Sequence, residues 1–260
     1  MYLNQLKNEY KIISIGFMCY GKKFIDKYIE KTETQFFDYI GTSVPSIISL
    51  FENNFYIDNN LLYDINNYIL YKTLTNEYIV TNIKLNIKFM HDFVKKNNND
   101  TISEIELLSL KEKYTRRAYR FMELLNKTPK ILFLRLEEDR RNLIHEQQQI
   151  DACLSELEQL KILSKIIKNK NPLLKYEIIF ITTKESTKYI EEYNILIIYS
   201  TLSLEWQNEN GINWGNCDIK IKELFDKNEF NIEKYILKNE TVKPIIKNNK
   251  ILLKNIKKKY

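Results

Sequence analysis

Residues 177–199 read Glu-Ile-Ile-Phe-Ile-Thr-Thr-Lys-Glu-Ser-Thr-Lys-Tyr-Ile-Glu-Glu-Tyr-Asn-Ile-Leu-Ile-Ile-Tyr, and this stretch decides the fold class. Two nearly continuous apolar runs, 177–181 and 195–199, flank a polar segment that reads as a short helix over 184–193. A strand that alternates apolar and polar residues buries one face, whereas a continuous apolar run is covered on both. Upstream, Ile131-Leu132-Phe133-Leu134 has the same character. Between them a long helix is predicted up to Asn169, with Ile150, Cys153, Leu154, Leu157, Leu160 and Ile167 inward. Strand–helix–strand–helix–strand implies parallel neighbours joined by right-handed crossovers. With Ile12-Ile13-Ser14-Ile15 added, the expectation is an α/β fold with a mainly parallel, Rossmann-like sheet flanked by helices.

The remaining N-terminal half fits around that sheet. Residues 12–29 read as strand, turn at Gly16, then helix, and residues 33–41 as a short strand or loop ending at Gly41. Pro45 suits the first turn of a helix through Phe51. Ile79, Ile83, Leu85, Ile87 and Phe89 alternate with Asn82, Lys84, Asn86 and Lys88, the period of a half-buried strand over 79–93. We therefore expect an inserted antiparallel strand or hairpin region around residues 55–93. Thr101 and Glu104 have capping-box spacing for a following helix, with Ile105, Leu108, Ala118, Phe121, Met122 and Leu125 as its apolar stripe and Pro129 ending it. No linker or internal repeat divides the chain, so residues 1–260 read as one domain with a basic tail over 240–260.

Bulk composition narrows the function. Forty Lys and Arg against 34 Asp and Glu give a net charge of +6, and much of the excess is in the terminal lysines. That distribution solvates a chain end and does not line a nucleic-acid groove, so no nucleic-acid partner is expected. No apolar run is long enough to span a membrane, and the N-terminus lacks a signal-like apolar core. Three dispersed cysteines, Cys19, Cys153 and Cys217, suit a reducing compartment, so a cytoplasmic location is expected. Heavy use of Asn, Lys, Ile and Tyr fits an AT-rich genome such as that of a low-GC bacterium or a large DNA virus, whose product would sit in host cytoplasm. Five glycines form neither a phosphate loop nor a dinucleotide fingerprint, and no Cys-x-x-Cys occurs, so no cofactor or metal is expected.

Chemistry points to Cys19, where the first strand runs into a helix. A thiol at a helix start faces unpaired N–H groups and the positive end of the helix dipole, which can lower its pKa to roughly 3.5–7.5. The same groups could hold an oxyanion. The competing reading is a small buried hydrophobe. Of the two histidines, His145 lies among Arg140, Arg141, Glu146 and glutamines on a polar face, whereas His91 emerges on the inward face at the end of strand 79–93. A thiol and an imidazole supply the couple for nucleophilic acyl chemistry. Asp38, within the aromatic run Phe36-Phe37-Asp38-Tyr39, needs a specific partner if buried and is the favoured group to orient the imidazole. Asp92 would point to the opposite strand face, and Asp218 and Asn216 are third choices. Arg116, Arg117 and Arg120 form either a solvated face paired with Glu112 and Glu123 or a clamp for an anionic substrate.

Ser14-Ile15-Gly16-x-x-Cys19, Phe37-Asp38-Tyr39 and His91-Asp92-Phe93 together resemble the DUF1796 family of papain-like cysteine peptidases. That family shows a serine-leucine-glycine strand leading to a Cys, a proline-phenylalanine-aspartate-tryptophan segment and a histidine-aspartate-phenylalanine element. The likeness extends over roughly residues 11–225. Ile15, Phe36 and Tyr39 depart from the pattern, while the Cys and His positions are kept. The resemblance implies a thiol peptidase. The parallel α/β pattern differs from a papain fold and is similar instead to esterase and acyltransferase architectures.

These readings combine into a thiol-dependent hydrolase or transferase acting on a peptide, acyl or glycan-type substrate. Cys19 is the nucleophile, His91 the base and then acid, and Asp38 the orienting group. Tyr20 (with its backbone N–H), Asp92, Arg117 and Arg120 are the substrate-binding candidates. The alternatives are an esterase or acyltransferase for a sugar or small metabolite, and a non-catalytic α/β interaction module. The enzyme readings expect Cys19 and His91 roughly 3–5 Å apart. They also expect a Cys19 thiolate persisting below pH 7 beside an inert Cys153. No motif bears on oligomeric state.

Overall fold

The computed structural model describes residues 2–16, 19–55, 64–72, 78–89, 91–93, 101–137, 154–200, 207–208, 211–212 and 217–238. Its centre is a five-stranded sheet in the order β1-β6-β7-β9-β8. β1 (Lys11–Ser14), β6 (Lys130–Leu136), β7 (Lys175–Thr182) and β9 (Ile195–Tyr199) are parallel neighbours, as the apolar runs predicted. β8 (Lys188–Ile190) adds an antiparallel edge to β9, followed by a 3₁₀ turn at Glu191–Tyr193. The helix expected over 184–193 is therefore a short edge strand. Tyr189 lies opposite Leu196, and such pairing outweighs the weak helical signal of so short a segment.

Strand periodicity sends alternate residues to two separate cores. Ile131 and Phe133 of β6, with Tyr176, Ile178 and Phe180 of β7, face α3 (Val44–Glu52), α4 (Glu104–Lys127) and α5 (Glu156–Lys170). Leu132, Leu134 and Leu136 turn the other way, with Ile179 and Ile181. They meet α1 (Tyr2–Glu9), α2 (Tyr20–Phe24, continued by a π turn over Ile25–Ile29), α6 (Cys217–Lys227) and α7 (Glu229–Tyr235). Both faces of the sheet are covered, which explains the absence of polar alternation along its strands.

A second, antiparallel sheet is inserted between β1 and β6. Its order is β2 (Ile40–Thr42), β5 (Ile87–Phe89), β4 (Tyr78–Asn82), β3 (Tyr68–Lys72). The single strand expected over 79–93 is thus a hairpin. Asn82 Oδ1 accepts from the backbone N–H groups of Lys84 and Leu85 at 3.1 and 2.9 Å, and Asn86 adopts φ 49°. Asparagine serves both roles in tight turns.

The long helix before β6 starts at Ser103, which forms a capping box with Glu106 in place of the expected Thr101 and Glu104. Its buried stripe is Leu107, Leu110, Tyr114, Ala118, Phe121 and Leu125, leaving Ile105 and Leu108 exposed. The helix that precedes β7 begins only at Glu156, and Leu154 is exposed. Ile150, Cys153, His145 and Asn216 lie outside the described residues, as does the tail over 240–260. Among the described residues, no helix is long and apolar enough to cross a membrane.

Candidate active site

Cys19 follows β1 at the carboxyl edge of the parallel sheet, where open α/β sheets place their ligands. The turn that delivers it is Gly16, at φ +89°. A Cβ there would lie 2.0 Å from Thr42 Oγ1 and 2.9 Å from Arg135 Nη1. The loop leaving β1 is therefore pressed against β2 and the end of β6. Arg135 is fully buried and ties these pieces together, donating from Nη1 to Ile15 O (3.1 Å) and Thr42 O (2.9 Å) and from Nε to Glu156 Oε1 (2.7 Å). Sequence reasoning passed over it. Its signal was a charge on the inward face of an otherwise apolar strand, which requires a partner.

Cys19 caps α2 through its backbone only, its carbonyl accepting from Lys23 N at 2.9 Å, and its side chain makes no capping bond. The thiol is half-buried against the core that includes Cys217. Burial pushes its pKa up, and the charge and hydrogen bond of Lys23 pull only partly against that. This reverses the expected thiolate below pH 7, because desolvation outweighs what one short helix end supplies. Alkylation of Cys19 by iodoacetamide should accordingly accelerate above about pH 9, and Lys23→Gln should move the profile further upward. Mass-resolved labelling across pH 6–10 measures both, and a plateau reached below pH 7 would refute the burial argument. Cys217, buried at the start of α6, has its thiol raised to about 11 and should label more slowly.

The other two motifs are placed by α4. Asp38 is 1 % exposed, with Oδ2 accepting from Gln35 N at 2.7 Å and lying 3.8 Å from Lys22 Nζ. Burial raises its carboxyl to about 6 despite Gln35, Lys22 and Arg117. Its carboxylate thus serves the loop and α2, and it makes no hydrogen bond to His91. Arg117 donates to Asp38 O (3.3 Å) and Tyr114 Oη (3.2 Å), while Arg120 donates to Thr34 O (2.6 Å) and pairs with Glu33 (3.1 Å). Both guanidiniums anchor the 33–38 loop, and neither pairs with Glu112 or Glu123 among the described residues. Arg120 also lines a groove of about 250 Å³ beside Lys11, at the opposite end of β1 from Cys19. The Tyr20 side chain is fully buried in the α2 core, so that residue could meet a substrate only through its backbone N–H.

His91 and Asp92 exchange the orientations expected for them. Strand β5 ends at Phe89, so alternation stops there and the chain bends over 91–93. Asp92 turns inward, its side chain 3 % exposed, accepting from Lys113 Nζ and, at 3.0 Å, from Tyr114 Oη. His91 is exposed, and its ring nitrogens find no hydrogen-bond partner among the described residues. Among the described residues its one ring neighbour is Tyr39, edge-on at 6.0 Å between centroids and 81° between planes. Tyr39 is half-buried, and its hydroxyl is raised by burial and by the charges of Asp26, Asp38 and Cys19. No hydrogen bond joins Cys19 to His91 among the described residues. Asp218, the third choice for an orienting group, pairs with Lys27 at 2.8 Å instead. Among the described residues no cluster of His, Cys, Asp and Glu has metal-binding geometry.

The fold and site define an α/β protein with a cysteine on the carboxyl edge of its parallel sheet and a histidine just after the β5 strand of an inserted antiparallel sheet. The chain belongs to the family described as "Putative papain-like cysteine peptidase (DUF1796)", which matches residues 10–186. The match spans Cys19, Asp38, Tyr39, His91, Arg117 and Arg135. No curated protein and no solved structure matches the chain.

Proposed function

We propose that the protein is a thiol hydrolase that cleaves an acyl bond through Cys19 and His91, a peptide being the substrate its family suggests. His91 takes the thiol proton as sulfur attacks the carbonyl carbon. The developing oxyanion is held by backbone N–H groups at the start of α2. The C–N bond then breaks, and the same proton passes to the leaving amine. Water, deprotonated by His91, hydrolyses the thioester and returns the thiol. The observation that supports this reading is the place of Cys19, at the start of α2 just beyond the carboxyl end of β1, in a chain of a papain-like cysteine peptidase family. Because burial raises the thiol, the imidazole is needed as a general base during attack and not as the partner of a preformed thiolate.

Ester cleavage or acyl transfer is the second reading. The parallel sheet with a nucleophile after its first strand supports it, since that arrangement is shared with esterases and differs from a papain fold. A peptide amide and an activated ester of the same acyl group, each followed by product release, distinguish the two. Cys19→Ser should lower turnover of the preferred substrate by about 10³-fold or more, and Cys217→Ser by less than threefold. Turnover of neither substrate, or full turnover by Cys19→Ser, would refute the assignment.

A further inference from the structure

We infer that Tyr39 is a positioning residue that holds the His91 imidazole toward Cys19, and that its left-handed backbone exists for this purpose. The inference rests on the reading of Cys19 and His91 as an acyl-transfer couple. Tyr39 has φ 67°, a conformation that a bulky aromatic residue adopts only when its surroundings impose it. Both flanks supply that constraint. On one side Asp38 is pinned through its carbonyl by Arg117 and through its carboxylate by Gln35 N. On the other, Ile40 pairs with Phe89 in the inserted sheet. Both neighbours are buried. An extended backbone at Tyr39 would continue the β2 alternation. The left-handed turn instead sends the ring out of the aromatic core formed by Phe36 and Phe37 and sets it beside His91.

The contact matters because nothing else described fixes the imidazole. His91 is exposed and follows the last residue of a strand, and its chain neighbour Asp92 is anchored inward by Lys113 and Tyr114. The backbone of His91 is thereby held, while among the described residues the ring is limited only by Tyr39. Phe37, Tyr114 and Phe89 meet other aromatic rings inside the core. Tyr39, by contrast, has a single ring contact among the described residues, at its edge. A residue kept for packing would turn inward with them. Strain kept at a half-exposed ring, against a histidine with no other side-chain partner among the described residues, matches the way active sites use conformational strain.

The test separates strain, packing and chemistry. Glycine tolerates positive φ without cost, so Tyr39→Gly removes the ring and leaves the backbone path allowed. Tyr39→Asn, which also tolerates this region, guards against a folding failure of the first variant. Two readouts are followed. One is the His91 Cε1–H signal by NMR, simple to assign because the chain has two histidines. The other is acylation of Cys19 by p-nitrophenyl acetate, resolved by mass. The expected result is an unchanged or higher melting temperature for Tyr39→Gly. The His91 signal should move to its position in the urea-unfolded chain, and Cys19 acylation should slow by about tenfold. Tyr39→Phe, which restores the ring, should return the His91 signal and recover most of the rate. The inference is overturned if both ring-removing variants leave the His91 signal in place, or if they lower the melting temperature sharply while acylation per folded molecule is unchanged. His91→Ala tells the two claims apart. If it leaves Cys19 acylation untouched, the couple itself is wrong, whereas loss of acylation in His91→Ala with none in Tyr39→Gly or Tyr39→Asn rejects Tyr39 alone.

Discussion

Arg135→Met is expected to destabilise the protein by about 3–5 kcal/mol. The guanidinium is fully buried and hydrogen-bonds three segments at once: the end of β1 at Ile15, β2 at Thr42, and the first turn of α5 at Glu156. Methionine preserves much of the volume but strips Glu156 of its cation and two buried carbonyls of their donor. A truncated buried pair costs far more than the intact pair contributes, because the remaining charge stays in a low-dielectric site. The double variant Arg135→Met/Glu156→Leu should therefore recover part of the loss, and urea unfolding of the four species gives the coupling directly. Effects below about 1 kcal/mol for the single variant would show that Arg135 is not the tie described.

Gly16→Ala is expected to cost about 3 kcal/mol or more, from two sources that can be separated. The first is backbone strain at φ +89°, about 1–2 kcal/mol for a residue with a Cβ. The second is overlap, since the new methyl carbon would sit 2.0 Å from Thr42 Oγ1 and 2.9 Å from Arg135 Nη1. Thr42 Oγ1 would have to turn away about its side-chain bond, and Arg135 Nη1 could not retreat without losing its carbonyl acceptors. Gly16→Ala/Thr42→Ala should relieve most of the overlap and leave the strain. Cys19, three residues on, should change its alkylation rate in Gly16→Ala. An unchanged melting temperature in Gly16→Ala would contradict the close approach.

The fold was more legible than the site, for a physical reason. Continuous apolar runs at 131–134, 177–181 and 195–199 announce strands covered on both faces, and the parallel pairing of β6, β7 and β9 followed from them. Period-two alternation continued through Ile83 and Leu85, so a hairpin read as one strand. The turn was written only in Asn82 and Asn86, whose side-chain and backbone roles a periodicity test does not weigh. Cys19 and His91 were legible as motif residues. What surrounds them was not, because the pairings of Asp38 with Lys22, Arg117 with the Asp38 carbonyl and Arg120 with Glu33 join residues from different segments. Helix and strand patterns record which face is apolar and carry no information about which charge meets which. Tyr39 was missed for the same reason. Its position in an aromatic run predicts burial, and only the pinned flanks turn its ring toward His91.

The proposed function has Cys19 performing acyl chemistry with His91 as its base. The most direct test is covalent capture, in which the native chain is incubated at pH 7.5 with an electrophilic acyl probe and the adduct is located by peptide mass mapping. The account predicts a stoichiometric adduct on Cys19 that forms at least about tenfold more slowly in His91→Ala, with Cys217 unmodified. An adduct spread over both cysteines at equal rates, or one on Cys19 that forms as fast without His91, would contradict it.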